Sequence, residues 1–360
     1  MKHIHICEID YTTVRSCTKM IRLLPHPLLN RSHAQFFLRQ IWLVSMLLIF
    51  LISGNSHAAF NGFQVQPHSI PLKEILSGGP PRDGIPAILT PHFLLADEAA
   101  FLTPEDRVLG IQGKHQAKAY PIATLNWHEI VNDTLDGTPV VISYCPLCGT
   151  GMGFLRKVGN QLLTFGVSGL LYQSDVLMYD HQSESLWSQI AMEAVTGPLL
   201  GKHLEPIFLE HTTWKAWRER YPNTLVLSRQ TGFSRDYSHD PYQHYALTDT
   251  LIFPPAKQDA RLSPKEWVLG VEVSEEFKAY PFSALEEQGP AFSDSLNNQD
   301  YIVCWDNESR SAKVVDQQGK PLSTLTAYWF AWYTFHPETK VFMGNPKQTT
   351  LTVSTANHLC

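Results

Sequence analysis

The chain has 360 residues, with 28 Lys and Arg against 34 Asp and Glu and a formal charge of −6. A protein that neutralises phosphates carries the opposite sign, so nucleic acid is excluded as an expected partner. A content of 44% hydrophobic and 11% aromatic residues excludes a disordered chain and predicts a packed globular body.

Residues 1–58 read as an export signal. Ile41–Ser53 is an apolar run, shorter than the roughly 20 residues of a bilayer span. Arg31 and Arg39 precede it, and Ser56-His57-Ala58 places small residues three and one before a cut after Ala58. Basic flank, short apolar core and small-x-small exit are the parts of a secretory signal. The expected address is periplasmic or secreted, with no stable membrane span after cleavage. The alternative is an uncleaved N-terminal anchor facing the periplasm. The segment holds six basic and two acidic residues, so its removal takes the charge from −6 to near −10. Such an acidic body also disfavours an anionic membrane surface.

After an N-terminal extension over 59–99, the sequence repeats itself. Val108-Leu-Gly110 is followed by Ala119-Tyr-Pro121, and Val268-Leu-Gly270 by Ala279-Tyr-Pro281 at the same spacing. Asn132-Asp-Thr-Leu135 leads into Val140-Val-Ile142, as Ser293-Asp-Ser-Leu296 leads into Tyr301-Ile-Val303. Ala216-Trp217 precedes Tyr221-Pro222, as Ala331-Trp332 precedes His336-Pro337. Three matches in order predict two degenerate units, 100–259 and 260–345, with a tail over 346–360.

Within each unit, Val-Leu-Gly and Lys-Ala-Tyr predict a hairpin, and Tyr-Pro opens a helix. Ala123, Trp127, Ile130, Val131 and Thr134 recur at helical spacing, which extends the first helix to about Thr134. Asp136-Gly137 is a turn signal before a strand over Val140–Tyr144. Gln161–Val167, Asp175–Tyr179 and Ser185–Trp187 read as strands, and Thr212–Arg220 as a short helix. The expected class is α+β and strand-rich: two hairpin–helix–strand repeats with few long helices, not a doubly wound sheet.

Residues found in only one unit are freer to carry chemistry. The first unit alone has Asn126-Trp-His-Glu129 and Cys145-Pro-Leu-Cys148-Gly149. Two thiolates on a tight turn, with His128 as a third ligand, suit copper or zinc. A thiol–disulfide site is the rival, with Cys145 as nucleophile and Cys148 as resolving thiol. Such motifs begin a helix, whereas Gly149-Thr-Gly-Met-Gly153 reads as a turn into a strand. A third reading is a cysteine nucleophile activated by His128, with Glu129 or Asn132 orienting the ring. The fourth is a disulfide-stapled turn in a structural or binding protein. If His128 points away from both sulfurs, the three-ligand site and the Cys–His pair both fail.

Asn132 stands where a zinc-protease helix needs its second histidine, so that mechanism lacks a ligand. No nucleotide-cofactor motif occurs. A metal-delivery or redox protein partner would suit either leading reading. Ser168–Tyr172 with Ser174-Asp175 forms a polar stretch near the site, and Glu184–Gln189 offers an aromatic wall. Arg235-Asp-Tyr237 and Pro241-Tyr242, with His239 and His244, form an aromatic loop without an assigned role. Cys360 ends the chain and is expected to be mobile.

These residues resemble the domain-of-unknown-function family 3179, a group of often exported proteins. The resemblance rests on Ala119–Asp133, Tyr144–Thr150, Ser168–Tyr172, Glu184–Gln189 and Thr196–Pro198, and covers roughly residues 80–345. It implies boundaries and no activity.

Overall fold

The computed structural model describes residues 60–344 and Cys360. The expected signal segment with its expected cut near Ala58, and most of the C-terminal tail, lie outside the described residues.

The hairpin expected in the first unit forms from Arg107–Gln112 and Ala117–Pro121, with Val108 opposite Pro121 and Gly110 opposite Ala119. Gly110 is required by packing. A Cβ there would lie 2.3 Å from the Trp217 ring. Trp217 sits on the Trp214–Arg220 helix, whose Thr213 N-cap hydroxyl accepts from the Ala216 amide. Its indole N–H donates to Thr224 Oγ1 at 2.9 Å.

The same devices recur in the second half. Trp267–Val273 pairs with Glu276–Pro281, Val268 facing Pro281 and Gly270 facing Ala279. A Cβ on Gly270 would lie 2.2 Å from Trp332, whose indole donates to Thr339 Oγ1 at 2.9 Å. Buried polar groups repeat too. Lys118 and Tyr120 donate to Asp133 at 2.8 and 2.6 Å, and Lys278 and Tyr280 donate to Asp294 at 2.6 and 2.8 Å. A buried carboxylate needs such partners, which explains why Lys-Ala-Tyr and Asp recur together.

The α+β class of two hairpin–helix–strand repeats is nevertheless corrected by the structure. Five small sheets are arranged as a five-bladed β-propeller, and the helices are short connections. The matching sequence segments are pieces of similar sheets. Glu210–Thr213 and Thr324–Tyr328 flank one side of the two hairpins, and Leu225–Leu227 and Lys340–Val341 run parallel on the other. Separate three-stranded meanders, Ile130–Leu135 with Thr138–Cys145 and Thr150–Leu155, and Ala291–Leu296 with Gln299–Asp306 and Ser311–Val315, belong to two further blades. The fifth blade is built on Phe165–Tyr172 and Asp175–Asp180.

The helix expected to reach Thr134 ends at Leu125, and Ile130–Leu135 is a strand. The misreading has a physical cause. Ile130 packs in one hydrophobic cluster and Val131 in another, so both faces of the strand are apolar. Consecutive apolar residues then mimic the spacing of a helix face. The strands expected over 140–144 and 175–179 are present, the one expected over 161–167 is split into Gln161–Leu162 and Phe165–Tyr172, the one over 185–187 is Leu186–Ser188, and the helix expected from Thr212 begins at Trp214 after the Glu210–Thr213 strand.

Cys360 forms a disulfide with Cys304, 56 residues away, so the last residue is tied to a blade. Among the described residues, no helix is long and apolar enough to cross a membrane.

Candidate metal centre

The Thr138–Cys145 strand delivers Cys145 to the end of a blade, and the chain returns through Thr150–Leu155. Pro146 presets the bend between them, and the Cys148 amide donates to the Cys145 carbonyl at 3.2 Å. Gly149 follows at φ +65°, a conformation open to glycine at little cost. A Cβ there would lie 2.6 Å from the Trp267 ring. The turn is also gripped from outside. Tyr245 Oη donates to the Leu147 carbonyl at 3.0 Å, and the Tyr328 amide to the Cys148 carbonyl at 2.8 Å. No helix begins after Cys148.

A second turn meets the first. Phe165–Tyr172 and Asp175–Asp180 are joined by Gln173 and Ser174 alone, with Tyr172 opposite Asp175. Both linking residues are left-handed, at φ +54° and +67°, as the tightest hairpins require. This turn aims the Ser174 carbonyl and the Asp175 carboxylate at the cysteines. The Cys148 thiol lies 3.3 Å from the Ser174 carbonyl and 3.9 Å from Asp175 Oδ1. Cys145 and Cys148 are free and buried. The two sulfurs and a carboxylate oxygen of Asp175 all lie within 4.8 Å of one another. This group could hold a metal ion.

His128 does not join it. Its Nδ1 is 2.7 Å from the Pro86 carbonyl and its Nε2 is 2.7 Å from Tyr237 Oη. Both ring nitrogens are engaged elsewhere, and the group that the structure brings together is Cys145, Cys148 and Asp175. The Cys–His catalytic pair fails on the same contacts. Asn132 does not orient a catalytic ring either. Its amide donates to the Phe165 carbonyl and accepts from the Phe165 amide, each at 2.8 Å, so it links two blades.

A family model described as a protein of unknown function, DUF3179, matches residues 82–339. The chain belongs to the DUF3179 family. No curated protein and no solved structure matches it.

The centre of this DUF3179 protein is acidic and buried. Burial pushes the Cys148 thiol well up, helped by Cys145 and Asp175 beside it. Burial raises Asp175 to about 7, against hydrogen bonds from the Ile190 and Val176 amides that lower it. Glu129, held left-handed at φ +56°, is raised to about 8 by burial, with Tyr242 lowering it and Asp175 raising it further. The groups that set these three shifts are acids or neutral hydrogen-bond donors. None is a cation.

The aromatic loop left without a role in the sequence covers this DUF3179 centre. Tyr237 bonds His128, Asp240 Oδ1 accepts from Asn126 Nδ2 at 2.9 Å, and Tyr245 holds the Leu147 carbonyl. The His239 carbonyl accepts from the Trp127 indole at 3.0 Å. Sequence reasoning placed Asp175 near the site without giving it a role. One signal was available. Asp175 heads the otherwise apolar run Val176–Tyr179, and a carboxylate leading a buried strand must find a partner.

Proposed function

We propose that this protein is an exported metal-binding protein in which Cys145, Cys148 and Asp175 hold one zinc ion. The observation that carries the reading is the convergence of two buried thiols and a buried carboxylate, with no cation among the groups that shift Cys148 and Asp175. Ionising such groups together in a buried interior is costly unless a cation offsets them. Thiolate sulfur and carboxylate oxygen are both ordinary zinc ligands. Copper(I) favours an all-soft set, and the replacement of an imidazole by a carboxylate moves the preference toward zinc.

The ion would join the turns of two blades and act as an interior clamp. The Cys304–Cys360 disulfide supports an oxidising compartment, in keeping with the export signal. Thiol–disulfide exchange is the rival reading, and burial raises the pKa of its resolving thiol, Cys148.

Elemental mass spectrometry on protein purified without chelator or affinity tag tests the reading. About one zinc per chain is expected, lost in Cys145→Ser and in Asp175→Asn and kept in His128→Ala. Protein that carries no zinc and takes up none on dialysis at mildly alkaline pH would overturn it. One copper per chain, retained in Asp175→Asn, would overturn the zinc assignment and leave a two-thiolate site.

A further inference from the structure

A second feature, separate from the cysteine centre, is a small cavity of about 180 Å³ walled by Arg107, Trp267, Phe282 and Arg310. Two cations and two aromatic rings face one space. Arg107 opens the Arg107–Gln112 strand, and Trp267 opens the Trp267–Val273 strand. Phe282 begins the Phe282–Gln288 helix. Arg310, left-handed at φ +46°, lies just before the Ser311–Val315 strand. Four separate segments are thus brought to this cavity.

Arg107 is held in place without being neutralised. Its guanidinium donates to the carbonyls of Ser309 and Arg310, which carry no formal charge. Burial lowers its pKa to about 10, Tyr144 and Glu210 raise it, and Arg310 lowers it further. Glu210 is the one carboxylate among these groups, and both of its oxygens already accept from Arg220. Arg310 reaches Glu286 at 3.3 Å, with both side chains about half exposed. A half-buried guanidinium beside a second one, its acid engaged by a third, leaves positive charge at the cavity, and a cation kept from water favours an anionic partner.

The other two walls fix what the anion carries. The Trp267 and Phe282 rings are stacked at 24° with centres 6.3 Å apart. Aromatic faces and guanidinium planes both pack against flat rings, and a guanidinium fork matches a carboxylate. A cavity of about 150 Å³ accepts benzene, so this one has room for a single ring with a small substituent.

We propose that this cavity binds a small aromatic carboxylate of one ring, its carboxylate on Arg107 and Arg310 and its ring against Trp267 and Phe282.

Calorimetric titration of the folded, disulfide-bonded protein with benzoate, benzyl alcohol, cyclohexanecarboxylate and inorganic phosphate tests this. Benzoate is expected to bind saturably at millimolar concentration or below, about tenfold tighter than benzyl alcohol, which lacks the charge. It should also bind more tightly than cyclohexanecarboxylate, which lacks the flat ring, and than phosphate. Arg107→Met should weaken benzoate about tenfold, and Arg107→Lys should restore part of the affinity. Because Arg107 also ties down the Ser309 carbonyl, Arg107→Met could fail to fold. The ligand comparison needs no variant and decides the matter in that case. Equal binding of benzyl alcohol or of cyclohexanecarboxylate, phosphate binding tighter than benzoate, undiminished benzoate binding to a folded Arg107→Met protein, or no saturable benzoate binding at millimolar concentration would each overturn the proposal.

Discussion

The Cys148 thiol meets the Ser174 carbonyl at 3.3 Å, so two turns from different blades are fastened at a sulfur atom. That contact suits a protonated thiol, which can donate to a carbonyl. A thiolate facing the same oxygen would be repelled unless a cation lay between the blades. A metal-bound centre would therefore differ from the metal-free one in protonation as well as in charge.

Removal of the metal should loosen the join between the blades. Binding to the native state alone stabilises by RT ln(1 + [L]/Kd), about 4 kcal/mol at a thousandfold excess over Kd. Differential scanning calorimetry should show a melting temperature several degrees lower after dialysis against a strong chelator. In Asp175→Asn the same treatment should change little. A chelator effect of equal size in the variant would mean that the metal lies elsewhere.

The pH dependence of the metal-free protein should run opposite to that of most acidic proteins. Asp175 is raised to about 7 and Glu129 to about 8, both chiefly by burial. The native state therefore binds protons that the unfolded chain has already lost at the same pH. Stability from these groups is full below about pH 4, where ordinary carboxyls are protonated, and falls as pH rises toward 8. The loss should be on the order of a few kcal/mol. Metal binding expels protons, so affinity rises over the same range and metal-loaded protein should show a smaller decline. Urea unfolding at pH 4.5 and 8 checks this. Asp175→Asn and Glu129→Gln should each flatten the metal-free curve.

Much of the local structure was legible because it rests on single-residue necessities. Gly110 and Gly270 lie under tryptophan rings, and Lys118 and Lys278 serve the buried Asp133 and the half-buried Asp294. These demands write themselves into the sequence as repeats. The arrangement of blades was not legible, because a strand covered on both faces loses the alternation that distinguishes it from a helix. The cysteine turn was readable from Cys145-Pro-Leu-Cys148 and the glycines after it. Asp175 was harder to assign, since 26 residues separate Ser174 from Cys148 and only the packing of two blades brings them together. His128 is read as a ligand from its nearness in sequence to the cysteine turn, which says nothing of where the two ring nitrogens point.

His128→Ala separates structure from ligation. The ring bridges the Pro86 carbonyl and Tyr237 at 2.7 Å on both sides, and burial lowers its pKa, so it is neutral at pH 7. Its loss removes two buried hydrogen bonds and leaves the Pro86 carbonyl without this partner, at a cost of about 2–4 kcal/mol. Equilibrium unfolding should show that loss while zinc content stays near wild type. Loss of zinc from a folded His128→Ala protein would return the imidazole to the centre.

Two substitutions in the facing turns should act in opposite directions. Ser174 is left-handed at φ +67°, and its buried hydroxyl has no hydrogen-bond partner. Glycine would relieve the backbone and remove the unpaired group, and only the carbonyl of residue 174 faces the sulfurs. Ser174→Gly is therefore expected to stabilise the protein by about 1 kcal/mol, the relief exceeding the entropic cost of glycine, and to keep its zinc. Gly149 is also left-handed, but a methyl group there would lie 2.6 Å from the Trp267 ring. Gly149→Ala should cost at least about 2 kcal/mol, from backbone strain and the displaced indole together. Because that indole packs against Tyr328, with ring centres 4.5 Å apart, the displacement reaches the residue whose amide holds the Cys148 carbonyl. Gly149→Ala should then weaken zinc binding as well as stability, read as zinc retained against a competing chromogenic chelator. A variant that lost stability yet kept wild-type zinc affinity would show that the Trp267 packing does not set the geometry of the cysteine turn.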